Sequence, residues 1–217
     1  KIATREVPVL FEAPLAAGLV GAFVQAVSGG ALYRKASFLD GCLGQAVLAE
    51  HLDLNEDPHQ IKGKGSAMFD DEGVATRPRK VVEAGRVLGY FLSSYSARKL
   101  GMRTTGHAGG AHNLALTSRL TQPGDDLEAM LRRLDRGLFV TELMGQGVNG
   151  VTGDYSRGAA GFWVERGRIV HPVHEVTIAG NLRDMLRGIV AVGADAYTSG
   201  SRTTGSVLIE RMKLAGA

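Results

Sequence analysis

Two short strings of similar residues constrain the fold of this chain most strongly. Val82–Val87 reads VEAGRV and Val164–Ile169 reads VERGRI, so each places a Gly-containing turn between two apolar positions. Such a turn between apolar, β-branched runs is the local signature of a β-hairpin. The two strings therefore predict two antiparallel hairpins, flanked by further strands at Val7–Phe11, Leu114–Ser118, Leu138–Met144 and Ser206–Leu214.

A few helices accompany these strands in the sequence pattern. Pro14–Ser28 has apolar residues at helical spacing with Pro at its start, Asp125–Arg136 begins acidic and ends basic, and Asn181 caps a helix that runs to about Val190. Ser37–Glu50 is predicted as a broken helix or covering loop, and His51–Gly65 as irregular. We expect one α+β domain over residues 1–217, with mostly antiparallel strands and hairpins and a few covering helices.

Composition excludes several classes of protein. Hydrophobic residues make up 44% and charged residues 22% of the 217, which is typical of a globular chain even though 30 residues are glycine. No apolar run reaches the length of a membrane span. The single Cys42 cannot form an intrachain disulfide, which favours a reducing, cytoplasmic setting. The chain begins with Lys1 and has no signal-peptide pattern, so we expect a fragment of a longer protein.

Three motifs suggest enzymatic chemistry, but each lacks its usual context. Gly145–Gly150 matches G-x-G-x-x-G, but the segment that follows is rich in turns instead of helical, and the many glycines make a chance match common. Ser96 and Lys99 match S-x-x-K without its companion motifs, which leaves a Ser/Lys hydrolase as a minor hypothesis. Cys42 lies among apolar residues and reads as a small hydrophobe.

The histidines give a further possibility, a metal site. His171 and His174 lie three apart on a predicted strand and point to opposite faces, so they cannot chelate one ion. His107 and His112 share a Gly-rich loop and can converge if that loop folds back. Because the loop contains no carboxylate, we interpret them first as polar histidines that anchor backbone, with metal binding as the alternative.

The densest polar and glycine cluster is the segment Glu142–Gly158, with five glycines among polar side chains. It fits either a backbone surface that another chain approaches closely or a set of tight turns with satisfied polar groups, and the residues alone leave both open. The candidate peptide or partner contacts are His107, His112, Gln146, Asn149, Asp154, Tyr155 and Arg157.

Long strings across the chain resemble the PmbA/TldE branch of the TldD/PmbA family of metallopeptidases. The strings that carry the resemblance are VTELMGQGVN (140–149), TGDYSRGAAGFWVE (152–165), LSSYSARKLG (92–101), TGHAGG (105–110), TIAGNL (177–182) and MKLAG (212–216). The resemblance runs from about Val7 to the C-terminus and implies the C-terminal half of a protein about twice as long.

The resemblance also implies a function. It points to a subunit of a metalloprotease complex that acts on extended or unfolded peptides. This subunit would pair with a TldD-like chain or with a second copy of itself. The family is also linked to the name "modulator of DNA gyrase" and to peptide maturation. TldD-type members bind zinc through a His-Glu-x-x-x-His helix and a Cys near the C-terminus. The matching positions here, Leu15–Val27 and Thr204-Gly205, offer no such ligands.

We therefore expect no catalytic residue, no metal ligand and no cofactor in this chain, with zinc only in a TldD-like partner, and no hydrolysis by this chain alone. The alternative is a non-enzymatic binding or regulatory module for DNA gyrase or nucleic acid, supported by a pI near 9.1. Since the basic residues are dispersed, we expect neither nucleic acid nor a membrane as partner.

Overall fold

The computed structural model describes residues 4–216, which form two six-stranded β-sheets and five helices. Residues 5–57 contain β1 (Arg5–Phe11), α1 (Ala13–Ala26), α2 (Gly29–Tyr33) and β2 (Leu52–Asp57). Residues 79–144 contain β3 (Arg79–Glu83), β4 (Arg86–Val87), α3 (Ser94–Lys99), β5 (Asn113–Ser118), α4 (Leu127–Leu134) and β6 (Gly137–Met144). The remainder contains β7 (Asp154–Glu165), β8 (Arg168–Asn181), α5 (Leu182–Arg187), β9 (Ile189–Val192), β10 (Tyr197–Ser199), β11 (Arg202–Thr204) and β12 (Val207–Gly216). The α+β class is confirmed.

The first sheet closes into a barrel. Its order is β1-β6-β7-β8-β12-β9, and β1 also pairs with β12, so five strands form a closed ring with β9 outside it. The expectation of mostly antiparallel strands needs correction, because both sheets are mixed. β1 runs parallel to β6 in the barrel and β11 runs parallel to β5 in the second sheet. These partners are far apart in sequence, so no tight turn imposes an antiparallel direction on them.

Both hairpins are present. β3 pairs with β4 and β7 with β8, and the two turn residues of each hairpin have positive φ: Ala84 and Gly85 at 47° and 73°, Arg166 and Gly167 at 52° and 71°. This backbone matches the two-residue turn whose twist suits paired strands. The shared turn chemistry of the two strings thus has a direct structural cause.

The prediction for His51–Gly65 was wrong over its first part, where β2 forms a central strand of the second sheet. That sheet has the order β10-β11-β5-β2-β3-β4. Leu52, Leu54 and Glu56 are buried on one face, and the residues between them are Asp53 and Asn55. Aspartate and asparagine are depleted in strands, which hid the alternation. The correction matters because it buries the Glu56 carboxylate.

Helix boundaries differ from the predicted ones by a few residues. α1 begins with Pro at its first turn and buries its apolar face in the core. α4 begins after the capping residue Asp126, and α5 ends at Arg187 because β9 follows at Ile189. Ser37–Glu50 consists of turns without a helix. Among residues 4–216 no helix is long and apolar enough to cross a membrane.

Candidate functional site

A buried carboxylate, Glu56, lies at the centre of a charged network. Its side chain is fully buried and accepts hydrogen bonds from Arg79 Nε at 2.7 Å and His107 Nε2 at 2.9 Å. The backbone N–H of His112 donates to the other carboxylate oxygen at 2.8 Å. The network therefore links β2, β3 and the loop that carries both histidines.

The network fixes the protonation of Glu56. Burial alone raises the pKa of this carboxyl, but the His107 hydrogen bond and the Arg79 charge outweigh it and lower the pKa to about 2. Burial lowers the pKa of His107, against the opposing hydrogen bond to Glu56. A neutral His107 that donates from Nε2 accepts at Nδ1, where the Thr105 hydroxyl lies at 2.8 Å. The result is an ionised carboxylate beside a neutral imidazole.

Glu56, His107 and His112 also form the one cluster among residues 4–216 whose ligand atoms lie within 4.8 Å of one another. Both ring nitrogens of His112 lie near backbone oxygens, 3.2 Å from Gly65 O and 3.1 Å from Gly106 O. Arg79 Nε donates a hydrogen bond to the Glu56 carboxylate, and Arg79 Nη2 lies 3.3 Å from His107 Nε2. Since a guanidinium already neutralises the only carboxylate, the arrangement is that of an ion-pair network more than of a cation site.

The glycine cluster forms a second, exposed site at the start of β7. The loop Gly145–Gly153 folds back on that strand through hydrogen bonds from Ser156 N to Gly147 O and from Asn149 N to Asp154 O, at 2.6 and 2.8 Å. Gly147 is required there, because a Cβ would lie 1.4 Å from Ser156 O. The cluster thus contains tight turns with satisfied backbone, and their outer surface is open.

Two concavities share Asp154, the residue that follows this loop. One, of about 450 Å³, is lined by Gln146–Gly150, Asp154 and Ser156. The other, of about 800 Å³, is lined by residues of β1, β8, α5 and β12 and again by Asp154. Met144, Val148 and Val151 are exposed apolar side chains of the same region. Volumes of this size are typical of ligand sites.

The structure separates the predicted contact residues into two groups. Gln146, Asn149 and Asp154 are exposed, and Arg157 is half-buried with Nε 3.5 Å from Met144 O. His107, His112 and Tyr155 are buried. Burial raises the pKa of Tyr155 to about 12. Only the first group has side chains that are accessible at the surface. No local pattern indicates Glu56 or Arg79, since the carboxylate that the loop lacks comes from β2, which is distant in sequence.

The other motifs have structural roles. Ser96 is buried and forms a capping box with Ser93 at the start of α3, while Lys99 Nζ lies 5.7 Å from the centre of the Tyr95 ring. The glycines of Gly145–Gly150 lead into β7 and not into a helix. Cys42 is buried, which raises the pKa of its thiol. These positions provide neither an activated nucleophile nor a helix N-terminus for a phosphate.

The helix α1 contains no His, Cys, Asp or Glu. Gly18 and Gln25 are exposed and Gly21 is half-buried. The Arg202 guanidinium from β11 lies so close to Gly21 that a Cβ there would be 2.9 Å from Arg202 Nη1. Thr204, at the end of β11, is buried. A cationic group therefore lies on the surface of α1.

Comparison with known proteins gives the family. Residues 4–216 match the PmbA/TldA metallopeptidase C-terminal domain. The chain is 51% identical over its full length to metalloprotease PmbA of Escherichia coli O157:H7 and 50% to the PmbA homologue of Haemophilus influenzae, covering 47% of each. It thus spans about half the length of these curated relatives.

Solved structures agree with this assignment. A candidate modulator of a DNA gyrase from Thermotoga maritima superposes with a TM-score of 0.88 at 36% identity, over 99% of this chain and 51% of that one. TldE from Thermococcus kodakarensis gives 0.83 at 26% identity, over 99% and 51%. By both sequence and structure, this chain belongs to the PmbA/TldD metallopeptidase family.

Proposed function

We propose that this chain is the C-terminal half of a PmbA/TldE-type subunit that pairs with a TldD-like chain and contributes peptide-binding surface to the resulting cytoplasmic protease. In this proposal the partner supplies the catalytic metal, and this chain hydrolyses nothing by itself. Its relatives include a protein named TldD homologue and a protein named TldE, so both kinds of chain exist within the family.

The observation that supports the proposal is a contrast: α1 offers no metal ligand, whereas the surface around Asp154 is exposed. The family name implies a metal, but α1 offers no ligand, and a guanidinium lies on its surface. The cluster of Glu56, His107 and His112 is neutralised by Arg79. Neither group of residues fits a catalytic zinc, which needs three protein ligands and one open position.

Peptide binding is supported by the exposed surface around the loop Gly145–Gly153. The exposed residues Gln146, Val148 and Asn149 line a concavity whose backbone is fixed in tight turns. Val151 is a further exposed apolar side chain of the same loop. Extended peptides are recognised by such combinations of fixed hydrogen-bonding groups and small apolar contacts. Candidate contacts are therefore Gln146, Asn149, Asp154 and Arg157.

Co-expression of the full-length protein with a TldD-like chain tests the proposal. We expect a stable complex that carries metal on the partner only and cleaves an unstructured peptide, while the full-length protein purified alone shows neither metal nor cleavage. Zinc-dependent peptidase activity of the protein alone, or failure to bind any TldD-like chain or itself, would contradict the proposal. Salt-sensitive binding to DNA would favour the regulatory alternative instead.

A further inference from the structure

Asp154 lines both concavities beside β7, and we refer to the two concavities together as the groove. Asp154 is the first residue of β7 and pairs with Asn181, the last residue of β8. The smaller concavity lies towards the loop Gly145–Gly153, and the larger one extends over α5 and β12. A chain segment in either concavity therefore lies beside a wall that includes Asp154.

The Asp154 carboxylate is held in place by uncharged groups. Thr152 Oγ1 donates to Oδ2 at 2.7 Å, and Asn181 Nδ2 donates to Oδ1 at 3.3 Å. Asn181 is itself fixed, since its Oδ1 caps α5 by accepting from Arg183 N and its Nδ2 also donates to Thr152 O. Within residues 4–216 no Lys, Arg or His nitrogen lies within 4.0 Å of Asp154. The carboxylate is thus positioned and carries an uncompensated charge.

Two of the cationic side chains that line the larger concavity also interact with other groups of the protein. Arg187 donates to Ala46 O at 2.9 Å, and Arg211 lies 3.6 Å from Glu6. Lys213 also lines the larger concavity, as do the carboxylates of Asp184 and Glu210. The smaller concavity contains Asp154 as its sole charged side chain. The side-chain charge in the lining of the smaller concavity is therefore negative.

We propose that the groove selects extended peptides with a lysine or arginine side chain at the position that faces Asp154. This inference rests on the proposed function and adds the substrate class. An ionic hydrogen bond between a cationic side chain and a carboxylate that its neighbours already hold costs little ordering of the protein, so it favours specificity. The surrounding amides and apolar side chains then contact the peptide without regard to charge.

Binding of two matched peptides to the full-length complex tests the inference. The first is an unstructured peptide with one lysine, and the second has norleucine at that position; affinity is measured by fluorescence anisotropy. We expect the lysine peptide to bind about tenfold more tightly. The D154N variant should lose that preference, so that the ratio of its affinities for the two peptides is close to one. The control variant E142Q, which removes an exposed charge outside the groove, should retain the difference.

The outcomes separate the inference from the proposed function. Equal affinity of the wild-type complex for both peptides, or an equal loss for both in D154N, would overturn the inference and leave the proposed function standing. Binding of neither peptide by an intact complex would overturn both. An unchanged unfolding midpoint for D154N, whose side chain is exposed, shows that any loss of binding comes from the removed charge.

Discussion

Glu56 and Asp154 are carboxylates near the ends of β-strands, but their surroundings differ. Glu56 is buried, neutralised by Arg79 and saturated by hydrogen bonds from His107 and His112. Asp154 is exposed, held by Thr152 and Asn181, and free of a cation among residues 4–216. A charge whose interactions are complete inside the protein stabilises the fold. A charge fixed by neutral groups at a surface groove remains available to a ligand.

The largest expected effect of breaking this contrast is on the buried site. E56Q removes the negative charge and leaves the Arg79 guanidinium without its partner, so we expect a loss of about 3–5 kcal/mol in the free energy of unfolding. Urea denaturation measures it. E83Q, which breaks the exposed pair with Lys80, should change stability by less than about 1 kcal/mol. Equal losses in the two variants would mean that the network around Glu56 is not structural.

Lowering the pH should also reveal how much the Glu56 carboxylate stabilises the fold. The folded pKa of Glu56 is about 2 and its ordinary value is 4.5, so the unfolded chain takes up the proton first as pH falls. The stabilisation is complete above about pH 4.5 and is lost towards pH 2, by about 3 kcal/mol. Because the pKa of His107 is also lowered, the protonation of this residue likewise reduces the stability of the folded state as pH falls below 6.5.

Stability measured between pH 6 and pH 2 checks this prediction. The wild-type protein should lose about 3 kcal/mol more than E56Q over the lower part of that range, because the variant has no carboxylate to protonate. Parallel curves for the two proteins would contradict the assigned role of Glu56.

At the exposed site the expected effects on stability are smaller. G147A places a methyl group against Ser156 O, so the loop must move away from β7, which we expect to cost about 1–3 kcal/mol and to weaken peptide binding. G150A is the matched control, since no atom lies within 4 Å of its added Cβ. Thermal unfolding and anisotropy give the two readouts. Identical behaviour of both variants would show that the loop does not rest on β7 as described.

The smallest effect concerns α3 and the minor hydrolase hypothesis. S96A removes the capping box with Ser93 and should lower the free energy of unfolding by about 1 kcal/mol. K99A, at an exposed position, should leave it within about 0.5 kcal/mol. Neither variant should alter peptide cleavage by the complex. Loss of cleavage in both would revive a Ser/Lys mechanism.

Features set by short stretches of sequence could be predicted. The two hairpins followed from turn residues that tolerate positive φ, and Asn181 was recognised as a helix cap from its position before an apolar run. The exposed loop at Gln146 and Asn149 was visible as a concentration of glycine and polar residues. Each of these signals lies within a few residues of the structure that it produces.

Features that depend on distant pairing could not be predicted. β2 looked irregular because Asp53 and Asn55 point away from the core, and only its neighbours β3 and β5 make it a strand. The sequence suggested that His107 and His112 converge if their loop folds back, but not that Glu56 and Arg79 contact His107. The burial of Tyr155 likewise depends on the barrel as a whole.

Hydrogen exchange of the full-length complex, with and without the lysine peptide, reports on the surface around Asp154 and on the buried network around Glu56 in one experiment. We predict that bound peptide slows exchange in residues 145–156 and 179–188 and leaves residues 52–57 and 104–113 unchanged. Slowed exchange confined to residues 52–57 and 104–113, around Glu56, His107 and His112, would contradict this prediction.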